Sequence, residues 1–190
     1  MVTWQEGANC FIDALADKNS VPGGGSAAAL NAAMGAALIL MSAGVTIKRK
    51  ATPQADKDFL APYLKTVENY KNELKKLTAE DAAAYLEVIS LKKQANIDEK
   101  RLAKAQIKAA EIPGMTAQKA QELLKIIDIV ESKIAKIIAS DILCAKALLV
   151  ASLKCCAENI KTNLPYIVDE NLKNKLSKVY NEITDLCRSK

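Results

Sequence analysis

The sequence contains no histidine. Triads and metal sites built on imidazole are therefore excluded, and proton transfer must use Asp, Glu, Lys, Tyr, Cys or a held water. Two aspartates stand where such chemistry could be done. Asp81 lies four residues before Tyr85, so on a helix the two share a face. Asp141 follows Ser140 at the start of an apolar run. Each also has a plainer reading as a helix cap, in Thr78-x-x-Asp81 and in Ser140-Asp141. Desolvation by apolar helices would raise the pKa of such a carboxylate, which suits it to act as acid and base in turn. The third candidate is the stretch Val21-Pro22-Gly23-Gly24-Gly25-Ser26. Its glycines let backbone approach a ligand closely, and the N–H groups of a following helical turn would meet an anion or a carbonyl oxygen. The stretch matches neither the dinucleotide-binding nor the P-loop pattern. A tight turn with Ser26 as N-cap is the alternative reading.

The elements that must hold these residues are helical. Hydrophobic residues make up 50% of the 190, Gly (7) and Pro (5) are few, and no stretch alternates apolar with polar residues as a strand would. An all-α, single-domain bundle of six to seven helices over residues 1–190 is expected. Net charge is +5 with aromatics at 4%, and nothing interleaves aromatics with a basic patch, so a nucleic-acid partner is not expected. A modest positive field would favour an acidic small substrate. Five cysteines, an odd number with no C-x-x-C, read as reduced thiols, and a cytoplasmic location is expected.

Thr3-x-x-Glu6 is a capping box for a helix to about Lys18. Ser26 to Ile47 carries no charge and is long enough to span a bilayer, but it is built on Ala rather than Leu, so a central helix is expected and no membrane partner. Ala28, Ala32, Gly35 and Ala36 keep one side of it small, open to close approach by another helix, even one from a second copy. A third helix starts at Thr52-Pro53 and either stops near Thr78 or continues through Asp81. A turn is expected over residues 95–98, then a helix from Arg101 ended by Pro113-Gly114, and another capped by Thr116. Ile142 to Cys156 reads as the second central Ala-rich helix, and Asp169 to Cys187 as a terminal amphipathic one. Two helices apolar nearly all round are hard to cover with so few others, which points to self-association.

Pro22-Gly23-Gly24-Gly25-Ser26, followed by Ala27-Ala28-Ala29-Leu30, resembles the opening motif of the cyclodeaminase/cyclohydrolase family of tetrahydrofolate enzymes. The resemblance extends through Asp81-x-x-Ala84-Tyr85-x-x-Val88, Ala110-x-x-Pro113, Ser140-Asp141, Leu148, Ala151 and Asn159-x-x-x-Asn163-Leu164. Two departures stand out. Ser90-Leu91-Lys92-Lys93 lacks the proline expected after the second motif, and Gly44 replaces a larger residue.

The resemblance implies an all-helical homodimer acting on a one-carbon unit at folate N5 and N10. The activity it implies is formiminotetrahydrofolate cyclodeamination, which releases ammonia and forms 5,10-methenyltetrahydrofolate. Methenyltetrahydrofolate cyclohydrolysis is the alternative, and a non-catalytic helical interaction module a further one. Both reactions pass through a tetrahedral carbon between two nitrogens, and both need a carboxylate to move a proton. Asp81 and Asp141 are the candidates. Gly23, Gly24, Gly25, Ser26 and Tyr85 would bind the pterin or the glutamate tail. Lys48 and Arg49 either meet the acidic tail of a folate, which could be polyglutamylated, or form a solvated helix end. No metal and no cofactor beyond the folate substrate are implied. In a shared site, the glycine loop of one subunit would face Asp81 or Asp141 of the other.

Overall fold

Thr3 and Glu6 form the capping box that their spacing predicts: Thr3 N donates to Glu6 Oε2 at 2.7 Å and Glu6 N to Thr3 Oγ1 at 3.2 Å. The computed structural model describes residues 2–188. The box opens α1 (Trp4–Ala16), an amphipathic helix with no buried residue. Then come α2 (Gly24–Lys48), α3 (Gln54–Lys92), α4 (Glu99–Val130), α5 (Ala139–Asn163) and α6 (Glu170–Arg188). Short 3-10 turns lie at Glu131–Lys133, Lys136–Ile138 and Leu164–Tyr166, and the described residues include no strand.

α2 is the central helix. It packs against α3 and α5 along its length, and against α4. By length and composition alone it could cross a membrane, yet 44% of its most apolar window is buried inside the protein. Its small-residue face meets α5 of the same chain rather than a second copy. A Cβ on Gly35 would fall 2.9 Å from Leu149 Cγ. Ser152 Oγ donates to Ala28 O at 2.8 Å across the same seam. The core joins Ala32, Ala36 and Ile39 of α2 to Leu74 of α3, Leu123 and Ile127 of α4, and Leu149 and Leu153 of α5. Close packing of small against branched side chains fixes how these helices sit.

Local helix-end cues at three places resolve against a boundary or a cap, each for a physical reason. α3 runs through Thr78 and Asp81 without a break. Thr78 Oγ1 turns back to Leu74 O at 3.0 Å, which satisfies it inside the helix and leaves Asp81 free to reach elsewhere. α4 runs through Pro113-Gly114, both buried. Proline removes the N–H that would bond the carbonyl four residues back. That carbonyl, Ala109 O, instead accepts from Asn163 Nδ2 at 3.4 Å. Gly114 lets α6 approach, since a Cβ there would lie 2.7 Å from Leu176 Cδ2. Thr116, the expected cap, is therefore mid-helix and buried. Finally, α5 starts at Ala139 with no side-chain cap, so Asp141 lies in its first turn rather than at its N-cap.

Candidate active site

The glycine stretch turns the chain into α2, with the Val21–Pro22 peptide cis and Gly23 as N-cap. Gly23 has no side chain to satisfy the N–H groups of the first turn. Ser26 is not the cap either: it sits inside the helix, fully buried. The capping group comes from 55 residues away, where Asp81 of α3 crosses to the end of α2. Ser26 Oγ donates to Asp81 Oδ2 at 2.9 Å, and the Ser26 backbone N–H bonds the same carboxylate. A carboxylate at a helix N-terminus is favourably placed. Gly25 makes the approach possible, because a Cβ on it would lie 2.6 Å from Asp81 Cγ. This pairing is within one chain, not between subunits.

Two opposing influences act on Asp81. Burial raises its pKa above the ordinary 3.8, and this effect is the larger; the hydrogen bonds from the Ser26 side chain and backbone lower it. The carboxylate therefore holds a proton more readily than a surface aspartate. Cys156 lies behind it, buried, with its thiol pushed up to about 12 by desolvation, so it stays a neutral packing group rather than a nucleophile.

The cleft in front of Asp81 holds about 210 Å³. Gly23, Gly24 and Gly25 form one wall, Asp81 and Tyr85 a second, and Asn159, Thr162 and Asn163 of α5 a third. Asn159 Nδ2 donates to Cys155 O at 2.8 Å. Tyr85, one turn after Asp81, is 43% exposed and faces a second hollow of about 230 Å³. The two hollows share Tyr85, Ala109, Thr162 and Asn163 and form one elongated groove. The Asn163 amide, held by the carbonyl that Pro113 frees, marks the middle of it.

Of the residues singled out from sequence, Gly23, Gly24, Gly25, Asp81 and Tyr85 line the cleft, and Ser26 lies behind it holding Asp81. Asp141, Lys48 and Arg49 do not reach it. Helical rise puts Lys48 about 36 Å from Gly24 along α2 and Asp141 about 27 Å from Asn159 along α5. Lys48 and Arg49 are solvent-exposed. The sequence offered this helix end to an anion or a carbonyl oxygen, and in the structure the Asp81 carboxylate bonds it. A carboxylate already occupies that helix end, so a further anion would be repelled and a neutral or cationic group is accommodated. Asn159 and Asn163 were visible as a pair four apart near the end of a helix, but Thr162 carried no sequence signal.

Among the described residues, no group of three or more Cys, Asp or Glu could hold a metal ion. The chemistry available to the cleft is proton transfer by one half-buried carboxylate, beside the side chains of Asn159 and Asn163.

A family model for formiminotransferase-cyclodeaminase matches residues 8–182. The methenyltetrahydrofolate cyclohydrolase of Methylorubrum extorquens is 32% identical over 162 residues, covering 80% of this chain and 76% of that protein. The formiminotetrahydrofolate cyclodeaminase of Thermotoga maritima has a similar fold, with a TM-score of 0.83 over 98% of this chain and 90% of that one at 24% identity.

Proposed function

This chain belongs to the formiminotransferase-cyclodeaminase family of folate-processing enzymes, and from that premise we propose that it hydrolyses the methenyl bridge between N5 and N10 of a tetrahydrofolate. The observation that carries the reading is Asp81: a half-buried carboxylate with a raised pKa, held by Ser26 at the edge of a cleft. The methenyl carbon is cationic, and a carboxylate facing it offsets that charge. Water attacks the carbon while Asp81 takes one of its protons. The tetrahedral centre then collapses: the C–N5 bond breaks with its electron pair going to N5, and Asp81 returns the proton there. The remaining hydroxyl proton goes to solvent as the formyl C=O forms on N10. One water is consumed and one proton released.

Cyclodeamination is the second reading, because the family description includes it. There N10 attacks the formimino carbon on N5 and its proton passes to the imine nitrogen; Asp81 then delivers a second proton to that nitrogen as its bond to carbon breaks and ammonia leaves. The two readings share the tetrahedral carbon and differ in the leaving group. Loss of the near-ultraviolet absorbance of 5,10-methenyltetrahydrofolate, followed with wild type and Asp81→Asn, tests the first. Ammonia release from 5-formiminotetrahydrofolate tests the second. The hydrolase reading fails if wild type does not accelerate methenyl loss over buffer.

The working unit in this reading is a homodimer. α1 presents Trp4, 87% exposed, and Ile12, 60% exposed, to solvent, and α2 presents Met34, Met41 and Val45 along one outer stripe. Large apolar side chains exposed on two helices suit burial against a second copy. Light scattering during gel filtration measures the mass, with twice the chain mass expected.

A further inference from the structure

The end of the groove away from Asp81 has a different chemistry. It is walled by Tyr85, Val88 and Ile89 of α3, Gln106 of α4, and Tyr166 beyond α5, and Lys92 of α3 closes it. Lys92 Nζ sits 5.0 Å from the centroid of the Tyr166 ring. No acidic side chain lines this half of the groove among the described residues. Lys92 is held in place by its helix: Val88 and Leu91 pack with Leu102 and Ala105 of α4 in a small separate core. Eleven residues separate Asp81 from Lys92, about 16 Å along α3. Side chains lean toward the N-terminus of a helix, so the ammonium tilts back toward the groove. The groove therefore runs from one carboxylate, past two tyrosines, to one ammonium.

We propose that Lys92, with Tyr166 and Gln106, is a carboxylate-recognising subsite that selects substrates bearing an anionic amino-acid tail on an aryl amide. This rests on the folate reading above and adds the residue that reads the tail. The other end of the groove cannot serve, because Asp81 already occupies the α2 N-terminus and would repel a second anion. Lys48 and Arg49 cannot serve within the subunit, because they lie at the far end of α2. The aryl ring would lie against Tyr85 and Val88, and the carboxylate would meet the ammonium.

Two probes that need no catalysis test the subsite: p-aminobenzoylglutamate and p-aminobenzoate, with binding followed by calorimetry. Wild type is expected to prefer the glutamate-bearing probe by about tenfold, the scale of one charge-assisted hydrogen bond. The preference should shrink as salt rises. Lys92→Gln should abolish the preference, Lys92→Glu should reverse it, and Lys93→Gln, one residue further on at the helix cap, should leave it intact. In turnover, Lys92→Gln should raise KM for 5,10-methenyltetrahydrofolate about tenfold with kcat within twofold, and change neither parameter for the analogue lacking glutamate. A wild type that binds both probes equally, or neither, overturns the subsite. So does a Lys92→Gln protein that keeps the preference. Preference without any folate turnover would sink the catalytic reading and leave the subsite standing; turnover without preference would do the opposite.

Discussion

The two ends of α2 draw on similar groups and behave differently. Each brings a helix terminus together with hydroxyl side chains and an aspartate of α3. At the glycine end, the hydroxyl of Ser26 and the carboxylate of Asp81 bond each other inside a concave cleft. At the Lys48 end, the polar groups close the chain on itself. Thr46 Oγ1 donates to Ser42 O at 2.8 Å and accepts from Ala135 N at 3.0 Å. Thr52 Oγ1 donates to Thr46 O at 2.7 Å. Lys133 pairs with Asp56 at 2.8 Å. Charge at that end is exposed or already matched. What separates a candidate site from a well-made helix junction is a half-buried carboxylate brought from another helix, with space left in front of it.

Removing one carboxylate at each end gives the largest contrast. Asp81→Asn is expected to lower kcat by at least about a hundredfold, the scale of lost acid–base catalysis. Asp141→Asn should leave kcat unchanged and lose less than about 1 kcal/mol of stability through its helix terminus. Equal losses would erase the distinction. The stability of the two variants should differ too. Burial makes the folded protein bind the Asp81 proton more tightly than the unfolded chain does. The stability this contributes is present below the unfolded pKa near 3.8 and is lost as pH rises through the higher folded value. Asp81→Asn should therefore flatten that part of a denaturation-versus-pH curve and cause no loss of stability at neutral pH from charge burial. A wild-type stability that rises with pH across that window would contradict it.

A glycine pair gives the next contrast. Gly25→Ala places a methyl against Asp81 and should cost about 1–3 kcal/mol as well as activity. Gly44→Ala, near the other end of the same helix with nothing within 4 Å, should stabilise by about 0.5–1 kcal/mol. Chemical denaturation of both proteins measures this, and a stable, active Gly25→Ala would mean that Asp81 has room to move. The pH–rate profile sharpens the same comparison. The acidic limb of kcat/KM should lie above the 3.8 of an ordinary aspartate, with activity rising as Asp81 ionises. The smallest expected effect is Arg49→Ala, whose stability and KM should match wild type within about 0.5 kcal/mol.

Much of the fold was legible because helices reveal themselves locally. Thr3-x-x-Glu6, the apolar spacing of α3 and the charge-free run of α2 each carry their information within a few residues. The turn over residues 95–98 and the start of the last helix were placed within a residue or two. At Thr78 the continuing helix was one of two readings; breaks were over-read at Pro113-Gly114 and Thr116, where tertiary contacts accommodate what looks locally like a stop signal. Asn163 does so for Pro113 and Leu176 for Gly114. The site was half legible. Asp81, Tyr85 and the glycines, singled out by spacing and by the family resemblance, line one cleft. That Ser26 meets Asp81, while Lys48, Arg49 and Asp141 lie a helix-length away, depends on how α2, α3 and α5 run past one another, which no spacing within one helix encodes. Lys92 and Tyr166 were invisible for the same reason: 74 residues separate the two in sequence.

The helix that holds Asp81 also sets how long a proton stays on it. When the carboxylate takes a proton, the end of α2 loses the negative charge that satisfied its dipole, and Ser26 loses a strong acceptor. Burial favours keeping the proton and the helix end favours returning it. In the proposed mechanism that opposition lets Asp81 return the proton it takes, through the same contact that joins α3 to the end of α2.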